Sequence, residues 1–187
     1  GRSIAMSIIP IIVTIVIVLL ALFVTAIYFP KLEKYVQIIC MIPYTIQGVI
    51  LSVSILSLYV GSSSILSNRL VMLMGAYCIV ILPYIYQGIR NGMRAVNMPT
   101  LIEAAEMLGA SKIYAFFRVV VPNILSAIIV SSLLAVGIIF GDYVLIRNLA
   151  GTSAPNMQIF LYQTMKSDST KASAVFVVIM FVTFVIT

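Results

Sequence analysis

Few side chains in this sequence can do chemistry. Among its 187 residues are eleven Lys or Arg, five Asp or Glu and no His. Without imidazole there is no His-based proton shuttle and no His metal site. Cys40 and Cys78 stand alone inside apolar runs, without the short spacing of a metal-ligand pair, and read as small core hydrophobes rather than a disulfide. The phosphate-cradling pattern GxxxxGK followed by Ser or Thr is absent, so the chain is not expected to bind nucleotide phosphates. Neither paired carboxylates nor a Ser/His/Asp set is present. The chain is not expected to be an enzyme, and no cofactor or metal is expected on it.

What remains are groups suited to recognition. Asp142 is an acid at the end of an apolar run, and an acid at membrane depth is costly enough to draw notice. With Tyr143 and Tyr44 as stacking partners it would suit an amine cation. The competing reading makes it a helix-end residue at the water interface. Gln47 and Gln87, beside Pro43 and Pro83, are candidates to line a pathway, or else to hydrogen-bond between helices.

These groups are set in an apolar chain. Apolar residues make up 63% and charged ones 9%, against about 45–50% and about 25% in ordinary soluble domains. The mean hydropathy is +1.20. Sixteen charges cannot coat a soluble domain of this size, so the solvent for most of the chain must be lipid. The net charge of +6 is spread between apolar runs, which suits loops touching anionic headgroups and not a nucleic-acid face.

A span needs about 20 apolar residues. Five segments fit or nearly fit: 4–28, 36–60, 70–89, 119–141, and one from 172 onward that is about a turn short. The runs are continuous, not alternating, which excludes a β-barrel. Prolines 10, 43 and 83 are tolerable in membrane helices and mark kinks. The expectation is an all-α polytopic bundle forming a single membrane domain over 1–187. The opening Gly1 and the final apolar run predict a piece of a longer polypeptide.

The connections are 29–35, 61–69 (GSSSILSNR), 90–118 and 142–171. Connections 29–35 and 90–118 share a side and carry six cations. The other side carries five, so charge does not orient the chain. Connection 90–118 has a helical code of its own. Leu101, Ala104, Ala105 and Leu108 fall on one face, Thr100 and Glu103 after Pro99 match a capping box, and Gly109 stops the helix. Ser111 can cap a second helix with the face Ile113, Phe116, Phe117 and Val120. Glu103 and Glu106 offer acceptors to a basic partner. The segment reads equally as a docking element for another protein and as a connector packed on its own bundle.

Here the residues resemble a family. Glu103-Ala104-Ala105, three residues, Gly109, nine residues, Val119, one residue, then Val121-Pro122 is similar to the EAA loop of membrane subunits of bacterial ABC importers. That motif reads Glu-Ala-Ala, three residues, Gly, nine residues, Ile, one residue, Leu-Pro. Val stands for Ile and Leu at the two aliphatic positions. The preceding Asn97-Met98-Pro99 and the order of spans match too.

The resemblance implies a multi-pass permease in the bacterial inner membrane, with a core of about six helices of which about five are visible. Residues 97–118 would be its cytoplasmic coupling loop, carried by Glu103, Ala104, Ala105, Leu108, Gly109 and Pro122. The implied partners are two copies of an ATP-binding subunit holding ATP and Mg, a second permease subunit (same or different), and an extracytoplasmic solute-binding protein. Residues 141–162 resemble permeases for polyamines, and also those for ferric iron or phosphonates. The substrate pathway would then include Tyr44, Gln47, Gln87, Asp142 and Tyr143. Two other classes stay open: an ion-gradient secondary transporter, which expects ionisable groups within spans, and a non-transporting membrane scaffold.

Overall fold

A computed structural model describes residues 2–46, 48–59, 69–150, 157–167 and 169–186. Every regular element among them is helical. In order they are α1 (Arg2–Ile27), a 3-10 turn (Pro30–Leu32), α2 (Glu33–Thr45), α3 (Gly48–Tyr59), α4 (Arg69–Ala95), α5 (Met98–Met107) and α6 (Lys112–Ala115). A wide π turn (Phe116–Val120) leads into α7 (Val121–Asn123) and α8 (Leu125–Gly141). A second π turn (Ile146–Ala150), α9 (Met157–Ser167) and α10 (Ser169–Ile186) follow. The all-α fold class expected from the apolar runs is the one observed.

Two helices are long and apolar enough to cross a membrane alone, within α1 (Ile8–Ile27) and α4 (Leu70–Ala95). Two more of the expected spans are bent pairs. The 36–60 run divides into α2 and α3, whose axes meet at 97°. Pro43 withholds a backbone N–H two residues before α2 ends, and Ile46 turns to extended geometry at φ −90°, ψ 110°. The 119–141 run bends by 64° between α7 and α8. Pro122 cannot donate to the preceding turn, which has already widened to π geometry, and the axis changes at Ile124. Pro10 and Pro83, by contrast, lie inside helices that run on through them. The fifth expected run is helical from Ser169. Connection 142–171, read as a loop, is largely helical instead, while 60–68 and Gln47 lie outside the described residues.

The core is organised around α4, which packs on both α1 and α8. Leu73, Ala76, Tyr77, Ile81, Ile85, Ile89 and Met93 recur at helical spacing and are all buried. The contact with α8 is close because Gly88 and Gly92 present no Cβ. One added at Gly88 would stand 2.5 Å from Ser131 Cβ, and one at Gly92 would stand 2.6 Å from Ala127 Cβ. This small-residue crossing suits helices in lipid, where association rests on packing. The spacing Gly137 to Gly141 also fits small-xxx-small packing, but an added Cβ at either meets nothing within 4 Å.

Some Thr and Ser hydroxyls in the bundle are returned to their own helices. Thr25 donates to the Ala21 carbonyl at 2.8 Å and Ser132 to the Ile128 carbonyl at 2.6 Å. The outer stripe of α1 (Ile9, Ile12, Val16, Ile17, Leu20) is exposed, as lipid-facing residues are in a chain seen without its bilayer.

Candidate functional site

The segment after α4 is a helix–turn–helix hung beneath the bundle. Asn97 takes a left-handed conformation (φ 50°, ψ 61°), turning the chain sharply out of α4, and Pro99 sits in the first turn of α5. The expected capping box does not form. The helix begins at Met98, so Thr100 is already inside it and Glu103 is too far along to reach back to the N-cap. The buried stripe also differs from the one expected. Met98, Ile102 and Ala105 face the bundle and Leu101 packs beside them, while Glu103, Ala104 and Leu108 face outward. The helix meets the bundle along a stripe rotated by about one residue from the predicted one.

The end of α5 follows the sequence closely. Gly109 has φ +84°, its N–H bonds the Glu106 carbonyl at 2.9 Å, and the Ala110 N–H bonds the Ala105 carbonyl at 3.0 Å. These two bonds form a Schellman motif, which satisfies the last carbonyls and needs a residue free of Cβ strain at that glycine. Ser111 then caps α6, accepting from the Tyr114 N–H at 3.3 Å, and Lys112 stands 3.8 Å from Glu106 across the turn. The return arm is anchored by Ala115, Phe116 and Val120, each fully buried. Ile113 and Phe117, expected on that face, are exposed. Phe23 of α1 holds the arm laterally, with its ring centroid 4.9 Å from Phe116 and 5.9 Å from Phe117.

Both arms are thus fixed to the bundle, and the turn between them projects two apolar side chains. Met107 is 89% exposed and Leu108 is 90% exposed. Pro122, the motif's last residue, does not join this surface. It lies exposed at the bend into α8, where it shapes the exit from the segment.

The residues proposed for a pathway fall into separate groups. Tyr44 packs near Tyr84, centroids 5.7 Å apart, and Gln87 donates to the Met41 sulfur at 3.2 Å, both joining α2 to α4. Gln47 lies outside the described residues. Asp142 ends α8 and is held from two sides. The Tyr77 hydroxyl lies 3.4 Å from Oδ2, and the Leu145 N–H lies 3.5 Å from Oδ1. Burial pushes its carboxyl above the usual carboxylate range, and these bonds only partly offset the shift.

Tyr143 already meets a cation of its own chain. Its hydroxyl accepts from Arg147, whose guanidinium lies 5.6 Å from the Tyr143 ring and 4.9 Å from Tyr162, with Lys166 4.9 Å from Tyr162 on α9. The chain's own cations therefore occupy these aromatic faces. Hydrogen bonds from Arg147 and Lys166 hold the Tyr162 phenol below its ordinary value.

Two features escaped the sequence reading. One is the Gly88/Gly92 crossing, signalled by the glycine pair in Gly88-x-x-x-Gly92 and answered by Ala127 and Ser131. The other is an ion pair from Arg90 to Glu33, whose two N–H donors reach one carboxylate oxygen at 2.9 and 2.8 Å. Among the described residues no group of three metal-ligating side chains occurs.

No curated protein matches this sequence. A family model does, over residues 3–187, and its description is the inner membrane component of binding-protein-dependent transport systems. That match takes in the bent spans, the close α4–α8 crossing and the whole projecting turn. This chain belongs to the family of inner-membrane components of binding-protein-dependent transport systems.

Proposed function

We propose that the chain forms the translocation pathway of an ATP-driven importer and receives its mechanical input through residues 97–118. The observation that carries this reading is the pair Met107 and Leu108. Two large apolar side chains stand almost wholly exposed on a turn whose backbone is rigidly set by Gly109. Neither lies on the bundle wall that faces lipid. Such a tip suits burial in a cleft of a second protein, with Glu103 and Glu106 on the rim as acceptors for its basic groups. A separate ATP-binding subunit, holding ATP and Mg, supplies what this sequence lacks. Displacing the turn moves α5 and the Phe116 arm, which press on α4 and α1.

In this reading connections 29–35 and 90–118 are cytoplasmic, and connections 61–69 and 142–171 are on the side of the binding protein. Two ATP-binding subunits and a second permease subunit complete the assembly. The cargo rests on the resemblance of residues 141–162 alone, with a polyamine first and ferric iron or phosphonate behind it. The engagement of Asp142 and Tyr143 within the chain favours structural roles for both.

The test is co-purification. Leu108→Asp places a charge on a side chain that touches little of its own bundle, so the melting temperature should hold. Capture of the ATP-binding subunit should fall by more than tenfold, the scale of losing a buried interface anchor. Undiminished capture would remove the turn from the coupling role.

A further inference from the structure

At the inner ends of α1 and α4 lies a pocket of about 480 Å³. Leu22 and Ala26 of α1, with Pro30 and Met93, form an apolar wall, while Glu33, Arg90, Arg94 and Asn97 form a polar one. The apolar stretches of both helices end here, at Ile27 and Ala95, which puts the pocket at headgroup depth. Tyr28, Phe29 and Tyr35 are exposed beside it, as in an interfacial aromatic belt.

The charges do not balance. Segments 29–35 and 90–97 hold four cations, Lys31, Lys34, Arg90 and Arg94, and one acid, Glu33; of these Arg90, Arg94 and Glu33 line the pocket. Arg90 already engages Glu33 at 2.9 and 2.8 Å through both donors, and its side chain is 15% exposed. Arg94 reaches the same oxygen only at 3.7 Å, beyond hydrogen-bond distance, and is 63% exposed. Arg94 thus lines the pocket with its guanidinium less committed to Glu33 than that of Arg90. Asn97 beside it makes no side-chain cap bond to α5.

We propose that this pocket binds the headgroup of an anionic phospholipid, the phosphodiester on Arg94 and the start of the acyl chains along Leu22 and Ala26. Basic pockets between membrane helices on the cytoplasmic side take such headgroups. A free phosphate would use the cationic wall only and leave the apolar one wet. Met98 and Pro99, the first turn of α5, also line the pocket. An occupant would therefore brace the root of the projecting turn. The depth assignment rests on the cytoplasmic placement under Proposed function.

The experiment titrates the intact purified complex with short-chain phosphatidylglycerol, short-chain phosphatidylcholine or inorganic phosphate, read by native mass spectrometry as adducts on this chain. Phosphatidylglycerol should be retained over phosphatidylcholine. Arg94→Gln should weaken it about fivefold, the effect of one interfacial cation. Glu33→Gln should tighten it, since the competing carboxylate is gone, and no misfolded variant would gain binding. Equal retention of the two lipids, or an unchanged Arg94→Gln variant, overturns the proposal. Displacement of the lipid by inorganic phosphate at equal concentration overturns the lipid as source. Loss of the ATP-binding subunit from wild-type complex would instead count against the coupling reading, whatever the adducts show.

Discussion

The inner and outer halves of this bundle are held together by different forces. On the inner side α4 and α8 touch through Gly88, Gly92, Ala127 and Ser131, and the return arm is packed by Phe23, Phe116 and Phe117. On the outer side the glycines stand open: an added Cβ at Gly75, Gly137 or Gly141 meets nothing within 4 Å. There polar contacts are added to a packed core of Leu73, Ala76, Ile139, Leu145 and Leu149. Tyr77 of α4 reaches Asp142 at the end of α8, and Asn148 donates to the Ser52 hydroxyl at 2.8 Å, tying the second π turn to α3. Close packing transmits displacement because it has little slack, whereas single hydrogen bonds can be exchanged at small cost. The half that carries the projecting turn has the closer helix crossing, as the proposed input of force through that turn would require.

The sharpest way to break this contrast is to put the same side chain into both halves. Gly88→Val must push its Cβ against that of Ser131, which is fixed to the α8 backbone and cannot swing aside. Overpacking of this kind costs about 1–3 kcal/mol. The detergent-solubilised protein should melt several degrees lower. Gly137→Val enters open space and should shift the melt little, within the about 0.5 kcal/mol of ordinary surface substitutions. Equal losses from both would show that the two halves are packed alike.

A smaller effect isolates the turn from the packing beneath it. Gly109→Ala introduces a Cβ where φ is +84° but no neighbour lies within 4 Å, so the cost is backbone strain alone, about 1 kcal/mol. The bundle should melt nearly as wild type. The strain should surface in the turn, as faster hydrogen exchange at the Gly109 and Ala110 amides, which bond back to Glu106 and Ala105. Unchanged exchange there would mean that the turn is not held by its Schellman bonds.

Legibility followed the range of the interactions. The stop at Gly109, the cap at Ser111 and the all-helical class are written in local pattern, and the structure has them where the sequence places them. The face of α5 was misread because Leu101, Ala104 and Leu108 are as apolar as Met98, Ile102 and Ala105. Only the direction of exit from α4, set by left-handed Asn97, decides between the two stripes. Pro10, Pro43 and Pro83 all read as kinks from sequence; the axis turns near Pro43 and also near Pro122, which does not so read, while Pro10 and Pro83 lie inside helices that run on. A proline frees a carbonyl wherever it falls, and tertiary contacts decide whether the axis turns. Gly137 and Gly141 have the spacing of a close crossing, as Gly88 and Gly92 do. Spacing cannot say which pair meets a partner.

The smallest effect tests the polar half by proton. The buried Asp142 carboxyl sits above its ordinary pKa, so the folded chain holds its proton more tightly than the unfolded chain does. From about 3.9 upward to the raised folded value, the folded state binds more protons, and stability falls as pH rises through that window. At neutral pH the ionised group is therefore a modest burden that its bonds to Leu145 and Tyr77 only partly offset. Asp142→Asn removes the charge and keeps an oxygen to accept from either donor. It should leave the melt at neutral pH unchanged or slightly raised and should flatten the rise in stability on acidification. If Asp142 instead met a cationic cargo, the same variant would fold as well and lose uptake. A variant with wild-type uptake and a flattened pH profile identifies Asp142 as a structural contact of the outer half, whose stability follows a proton where that of the glycine-packed half does not.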